Sequence, residues 1–213
     1  MYIKRIVCNV PQRLKFKFSS AQEKWNSTIS AKGFVAQSGG WNSLDDTEAC
    51  IISFWESKDD LKYFMTNLHD QILNDNKQNK LYSSIVVDHY NTTLTLEGES
   101  STIVEAIKNA KLLRIADCRV NKDSVEHFDQ VQKNIWQSEM QKVNGILRGY
   151  FSKSTKDTNK YLIITFWESL ENHKNYINNI LHGLRERVED LQAFETIAVK
   201  EIVLVDNWKI FKD

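Results

Sequence analysis

The sequence predicts an α+β fold in which one β-α-β-β-α-β unit occurs twice in tandem. Three observations carry this. The tetrapeptide Phe54-Trp55-Glu56-Ser57 returns as Phe166-Trp167-Glu168-Ser169, each time closing an apolar run and opening an amphipathic one. Cys8 and Cys118, Phe18 and Phe128, Gln22 and Gln132, and Gly33 and Gly145 stand at matching positions before it. The offset drifts only from 110 residues at the cysteines to 112 at the tryptophans, so few insertions separate the copies, and such self-similarity marks a repeated structural unit.

Tyr2 to Val10 is rich in Ile and Val and reads as the first strand, which Pro11 ends because it has no N–H to give a ladder. From Gln12, the apolar residues Leu14, Phe18, Ala21, Trp25 and Ile29 recur every three or four positions, the spacing of one helical face. Lys32-Gly33 breaks that helix. Phe34 to Trp41 and Glu48 to Trp55 are the next two strands, joined by turn residues from Asn42 to Asp46. Ser57 is an N-cap with Asp59 and Asp60 in the first turn, and Leu61, Phe64, Met65, Leu68 and Ile72 form the buried stripe of a second helix. The β-branched, Thr-rich run from Leu81 to Leu96 is the fourth strand.

This order is the ferredoxin-like, split-βαβ arrangement, two helices on one face of a four-stranded antiparallel sheet. Its other face needs a further layer, which the second copy is placed to supply. The sequence divides into a first unit over 1–97, a connector over 98–111 with a short helix from Thr102 to Ala110, and a second unit over 112–213. The second copy reads as strand Leu112 to Val120, helix Ser124 to Lys142, strands Ile146 to Lys153 and Tyr161 to Trp167, helix Leu170 to Leu191 and strand Phe194 to Asp206. Trp208 and Phe211 are apolar enough to dock the tail rather than let it fray.

Of 213 residues, 41% are hydrophobic, enough for a buried core, and Lys plus Arg balance Asp plus Glu at 28 each. That balance removes the electrostatic footprint of nucleic-acid or anionic-membrane binding, so neither partner is expected. No run reaches the length of a membrane span, and Met1-Tyr2-Ile3-Lys4-Arg5 lacks the apolar core of a signal peptide, which predicts a cytoplasmic protein. Three cysteines in strand-like runs read as reduced buried thiols, and with no CxxC or Cys/His cluster no metal site is expected.

A tandem of units whose third strand ends in Trp-Glu-Ser before a capped helix resembles the dimeric α+β barrel superfamily, in its antibiotic-biosynthesis-monooxygenase-like branch. The stretches Ile6-Val7-Cys8-Asn9-Val10-Pro11, Ala21-Gln22-Glu23-Lys24-Trp25, Gly39-Gly40-Trp41 and Glu48-Ala49-Cys50 resemble the YdbC-like proteins of bacilli. The resemblance implies an intramolecular, pseudo-dimeric barrel, a monomer or homodimer in solution, with a pocket for a small apolar or aromatic molecule. It implies one of two functions: a cofactor-independent or haem-linked monooxygenase, or a non-catalytic ligand-binding or stress-associated barrel protein. Haem-degrading relatives use a first-strand Asn with a Trp and a His on the second helix. Asn9 matches the Asn, but Phe64 and Asn74 occupy the other two places, and the second copy has Arg119, Tyr176 and Glu186. No cofactor is therefore expected; haem would lack its full set.

Asn9 and His69 are the candidate catalytic residues, and Asn9, Gln37, Trp41, Phe64 and His69 the candidate ligand-binding set. His69 and His182 each follow a Leu in the second helix of their copy, where imidazole either serves a pocket mouth as proton donor or acceptor or faces solvent. Asn9, Gln37 and His89 are polar residues on apolar strands, held by backbone or kept for a ligand. Trp25, Trp55, Trp136 and Trp167 wall a pocket or fill the core, and recurrence assigns Trp55 and Trp167 to the framework. Trp41 has no counterpart and follows two glycines that permit close approach of a ligand. Because Asn9, Gln37 and Trp41 give way to Arg119, Gly149 and Lys153 in the second copy, the site is expected in the first.

Overall fold

A computed structural model describes residues 1–188 and 193–212. Strand β1 (Tyr2–Asn9) ends before Pro11. A 3-10 turn over Gln12–Leu14, helix α1 (Lys15–Glu23) and a second 3-10 stretch over Lys24–Ser30 replace the one helix that the apolar spacing predicts. Part of the reason lies in Ser30, a short polar side chain that competes for the backbone: its Oγ donates to the Ser27 carbonyl at 2.9 Å.

Strand β2 (Phe34–Asn42) turns into β3 (Glu48–Trp55) through Asn42 Oδ1, which accepts from the Leu44 amide, and Asp45 Oδ1, which accepts from that of Thr47. Antiparallel β1 runs along β3 from Tyr2 opposite Trp55 to Asn9 opposite Glu48, and β2 lies on β3's other edge. Ser57 caps α2 (Lys58–Asn67), its Oγ accepting from the Asp60 amide at 3.1 Å. Gly33, at φ +68°, passes just beneath this cap, where a Cβ would come within 2.3 Å of Asp60 Cγ. The helix predicted to continue through Ile72 breaks at Leu68 and restarts as α3 (His69–Asn76). Thr66 Oγ1 and Asn67 Nδ2 donate to carbonyls one turn back, those of Lys62 and Tyr63, which loosens the helix there.

After a 3-10 turn over Gln78–Lys80, β4 (Ser84–Glu97) begins three residues later than its apolar content suggests. The connector forms α4 (Ile103–Asn109), capped by Thr102. The second copy then repeats the plan: β5 (Leu112–Val120), α5 (Val125–Val131) running through a π segment at Gln132–Gln137 into α6 (Ser138–Met140), β6 (Ile146–Ser154), β7 (Lys160–Trp167), α7 (Leu170–Asn179), α8 (Leu181–Arg187) and β8 (Phe194–Leu204). The registers repeat as well, Leu112 facing Trp167 as Tyr2 faces Trp55. The helix break recurs at Ile180, and the expected helix end at Leu191 lies outside the described residues. A two-residue strand, β9 (Ile210–Phe211), closes the chain.

Packing divides the chain differently from duplication. One compact unit is Met1–His89 with Ile202–Asp213, the other Tyr90–Glu201. Long strands make the difference. Tyr90 to Glu97 of β4 pair with β6 of the second unit, whereas Ile202, Val203 and Leu204 of β8 pair with Asn42, Trp41 and Gly40 of β2 in the first. Gly40 is required for that pairing, because a Cβ there would lie 1.9 Å from the Val203 carbonyl oxygen. The tail does dock: Trp208 is fully buried in the first unit, edge-on to Phe18 and Trp41, with its indole N–H donating to Ser19 Oγ at 2.9 Å.

Trp55 and Trp167 sit at the centres of equivalent clusters, with Tyr2, Phe34 and Phe64 in one and Leu112, Ile146 and Tyr176 in the other. Their buried N–H groups are satisfied in the same way, by Ser53 Oγ at 3.0 Å and Thr165 Oγ1 at 2.9 Å.

Candidate functional site

Each unit holds a cavity on the face of its first strand. Alternation along β1 puts Lys4, Ile6 and Cys8 on that face in the first unit, where they border a space of about 300 Å³ with Gln37 from β2, Trp55 from β3, Phe64 from α2 and His69 from α3. Lys4 is only 6% exposed. Its ammonium donates to Met65 Sδ at 3.3 Å, no carboxylate among the described residues pairs with it, and burial lowers its pKa to about 8. Further donors stand idle around it: the amide nitrogens of Gln37 and Gln78 are buried without partners, as is Thr28 Oγ1. The carbonyl end of Gln78 accepts from Trp25 Nε1 at 2.5 Å, so that amide's orientation is fixed. His69 packs against Trp25 and Phe64, with Nδ1 2.9 Å from the exposed Asp70 carboxylate. Burial lowers the pKa of this imidazole, with Asp70 pulling the other way, and it is neutral near pH 7.

Gln37, Phe64 and His69 thus meet at one cavity, with His89 also on its lining. Asn9 and Trp41 are elsewhere. Asn9 has the opposite parity on β1 from Lys4, Ile6 and Cys8; it is exposed at the strand end, with Ser83 Oγ donating to its side chain at 3.3 Å. Trp41 lies four residues, or roughly 13 Å, along β2 from Gln37. There it packs with Phe18 and Trp208 and carries the Lys15 ammonium over its ring at 4.8 Å, which ties it to the docked tail. Lys4 is the residue that sequence reading missed. Its signal was available: a lysine in phase with Ile6 and Cys8 in an apolar strand, with Arg114 at the same place in the other copy.

The second unit also keeps a cavity, of about 440 Å³, whose wall includes Arg114, Gln132, Trp136, Tyr176 and Arg185. Arg119 and Lys153, which replace Asn9 and Trp41, serve turns and strands instead, pairing with Asp157 at 2.6 Å and Asp129 at 2.5 Å. His182 is exposed beside Glu186. A different histidine is buried: His173, 1% exposed, stands where the first copy has Leu61. Its Nδ1 is 3.5 Å from Glu201 Oε1, yet neither ring nitrogen makes a hydrogen bond, and burial together with Arg114 holds its pKa down to about 4. The unfolded chain binds this proton near pH 6.5 and the folded one only near 4, so acid favours unfolding between those values. Stability is expected to fall as pH drops through that window, by up to about 1.4 kcal/mol per pH unit. Urea melts at pH 7, 6 and 5 should show a shallower fall for His173→Leu.

The three positions of the haem-degrading pattern are not gathered at the first cavity, whose lining includes Phe64 but neither Asn9 nor Asn74. Of the positions that the resemblance assigns to haem binding, Asn9 and Asn74 are exposed and Phe64 is apolar. The equivalent Glu186 of the second unit is exposed too. Among the described residues no group of three His, Cys, Asp or Glu can hold a metal ion, and Cys8 and Cys118 are buried thiols whose pKa is pushed up to about 12. No helix among the described residues is long and apolar enough to cross a membrane.

Two crystal structures of proteins named "putative monooxygenase" match nearly the whole chain. That from Lactobacillus acidophilus NCFM has a TM-score of 0.73 at 14% identity, covering 100% of this chain and 99% of its own. That from Fusobacterium nucleatum subsp. nucleatum has a TM-score of 0.77 at 11% identity, covering 95% and 91%. They establish the fold class as tandem ferredoxin-like units of the pseudo-dimeric α+β barrel kind. Residues 112–182 match the antibiotic biosynthesis monooxygenase family and residues 2–90 match the domain of unknown function DUF4937. The chain belongs to the YdbC family: it is 37% identical over 92 residues to the uncharacterized protein YdbC of Bacillus subtilis strain 168, an alignment spanning 42% of this chain and 77% of that protein.

Proposed function

We propose that the first unit binds a small, flat aromatic molecule bearing an ionisable oxygen and oxygenates it without a bound cofactor. The observation that carries this reading is Lys4, a buried ammonium facing an apolar cavity with no carboxylate among the described residues to neutralise it. A phenolate or enolate supplies that charge, and the idle amide groups of Gln37 and Gln78 can donate to further oxygens on the ring system. His69 takes the substrate's proton, and Lys4 holds the anion. The electrons that reduce dioxygen then come from the substrate: a ring methylene becomes a carbonyl, and the second oxygen atom leaves with its two hydrogens as water. Three free thiols and balanced charge fit a small-molecule enzyme of the reducing cytoplasm.

Titration calorimetry with 1-naphthol and its methyl ether tests the binding step. The naphthol should bind at least tenfold more tightly, because only it has a proton to give up and an oxygen to charge, and Lys4→Met should erase the difference. Equal affinities in the parent protein would contradict the reading. Oxygen uptake with anthrone-type substrates, lost in His69→Gln, separates oxygenation from binding alone.

A further inference from the structure

The second unit's cavity has a chemistry of its own. Arg114 occupies the place on β5 that Lys4 occupies on β1, and it is 7% exposed. Its Nε is buried without a hydrogen bond, and no carboxylate among the described residues forms an ion pair with it. Glu201, whose charge steadies it from a distance, lies against His173 instead, and Glu195 at the rim accepts from Asn159 Nδ2 at 3.4 Å. His173, held neutral, supplies no counter-charge. Arg185 borders the same space.

The contrast with Lys4 is physical. A buried lysine can shed its proton when nothing neutralises it, and Lys4 is shifted toward doing so; a guanidinium cannot, and stays charged at any working pH. A permanent cation in an apolar cavity, with donors unused, is costly unless the occupant brings an anion. The planar fork of a guanidinium matches a carboxylate with two parallel hydrogen bonds. Around it, Phe128, Trp136, Phe151 and Tyr176 offer ring faces and edges to an apolar body, within a volume suited to a small organic molecule.

We infer that the second unit's cavity is a separate binding site for an aromatic carboxylate, whose acid group pairs with Arg114 and whose ring lies among Phe128, Trp136 and Tyr176. This site does not depend on the first unit's cavity or on the oxygenation proposed there. Its selectivity is opposite in kind: a fixed anion rather than an oxygen that ionises on binding.

Calorimetry and thermal shift on the full chain with 2-naphthoate and 2-naphthamide test it. The two probes share a ring system and differ in charge. The acid is expected to bind and raise the melting temperature, with the amide at least tenfold weaker. Arg114→Met should remove that preference, and Arg114→Lys should keep part of it, since the charge stays and the fork is lost. The share of naphthoate binding that Arg114→Met removes should persist in Lys4→Met, whose lost charge belongs to the first unit's cavity. If Arg114→Met does not fold, the parent protein's preference and the Arg114→Lys variant decide. Equal binding of acid and amide, no binding of the acid at millimolar concentration, or loss of binding in Lys4→Met would each overturn the inference.

Discussion

Deleting residues 202–213 is expected to strip the first unit of its ordered core, although those residues lie more than a hundred positions from the rest of it in sequence. The deletion removes three kinds of support together. The ladder between β8 and β2 is lost, including the bond from the Val205 amide to the Gly39 carbonyl at 3.0 Å. The fully buried Trp208 leaves the cluster of Cys8, Val10, Phe18 and Ile51, and Ile210 leaves that of Tyr2, Phe34 and Trp55. Loss of Trp208 alone, tested as Trp208→Ala, should cost about 3–5 kcal/mol. Hydrogen exchange should show the amides of β2 and β3 deprotected in the deletion, and urea melts should place the single variant well below the parent. Parent-like protection of β2 after the deletion would show that the tail only decorates the unit.

Replacing either repeated tryptophan should come close to the same magnitude. Trp55 and Trp167 are at most 1% exposed, and each touches an aromatic from the following helix, Phe64 at 5.0 Å and Tyr176 at 5.2 Å between ring centres. Trp55→Ala and Trp167→Ala each leave a large void and orphan a hydroxyl, that of Ser53 or Thr165, for an expected loss of about 3–5 kcal/mol. Thermal melts of the two variants check this, and the two losses should be similar because the packing repeats. A variant that melts like the parent would remove that tryptophan from the framework.

The duplication, the strand order and the capped helices were legible because their signals are local: Trp-Glu-Ser before a helix, Pro11 after a strand, Ser57 ahead of Asp59 and Asp60. Helix interruptions at Leu68 and Ile180 were not, since apolar spacing continues across them and only the side-chain bonds of Thr66 and Asn67 to the backbone reveal the first break. The exchange of strand ends between units was hidden for a different reason. Apolar content shows that β4 and β8 are strands but not which neighbour each half pairs with, which long-range register decides. At the site, Gln37, Phe64 and His69 were readable as polar or aromatic residues in apolar surroundings. Asn9 and Trp41 stand away from that cavity because parity and distance along a strand, not residue type, determine what faces it. Lys4 carries a local signal of its own, since its phase with Ile6 and Cys8 on β1 marks it as inward.

The most direct test of the functional account is a crystal structure of the protein soaked with 1-naphthol. The account predicts the ring between Trp55, Phe64 and His69, with its oxygen within hydrogen-bonding distance of Lys4 Nζ in place of Met65 Sδ. Naphthol bound elsewhere, with Lys4 still against Met65, would contradict it.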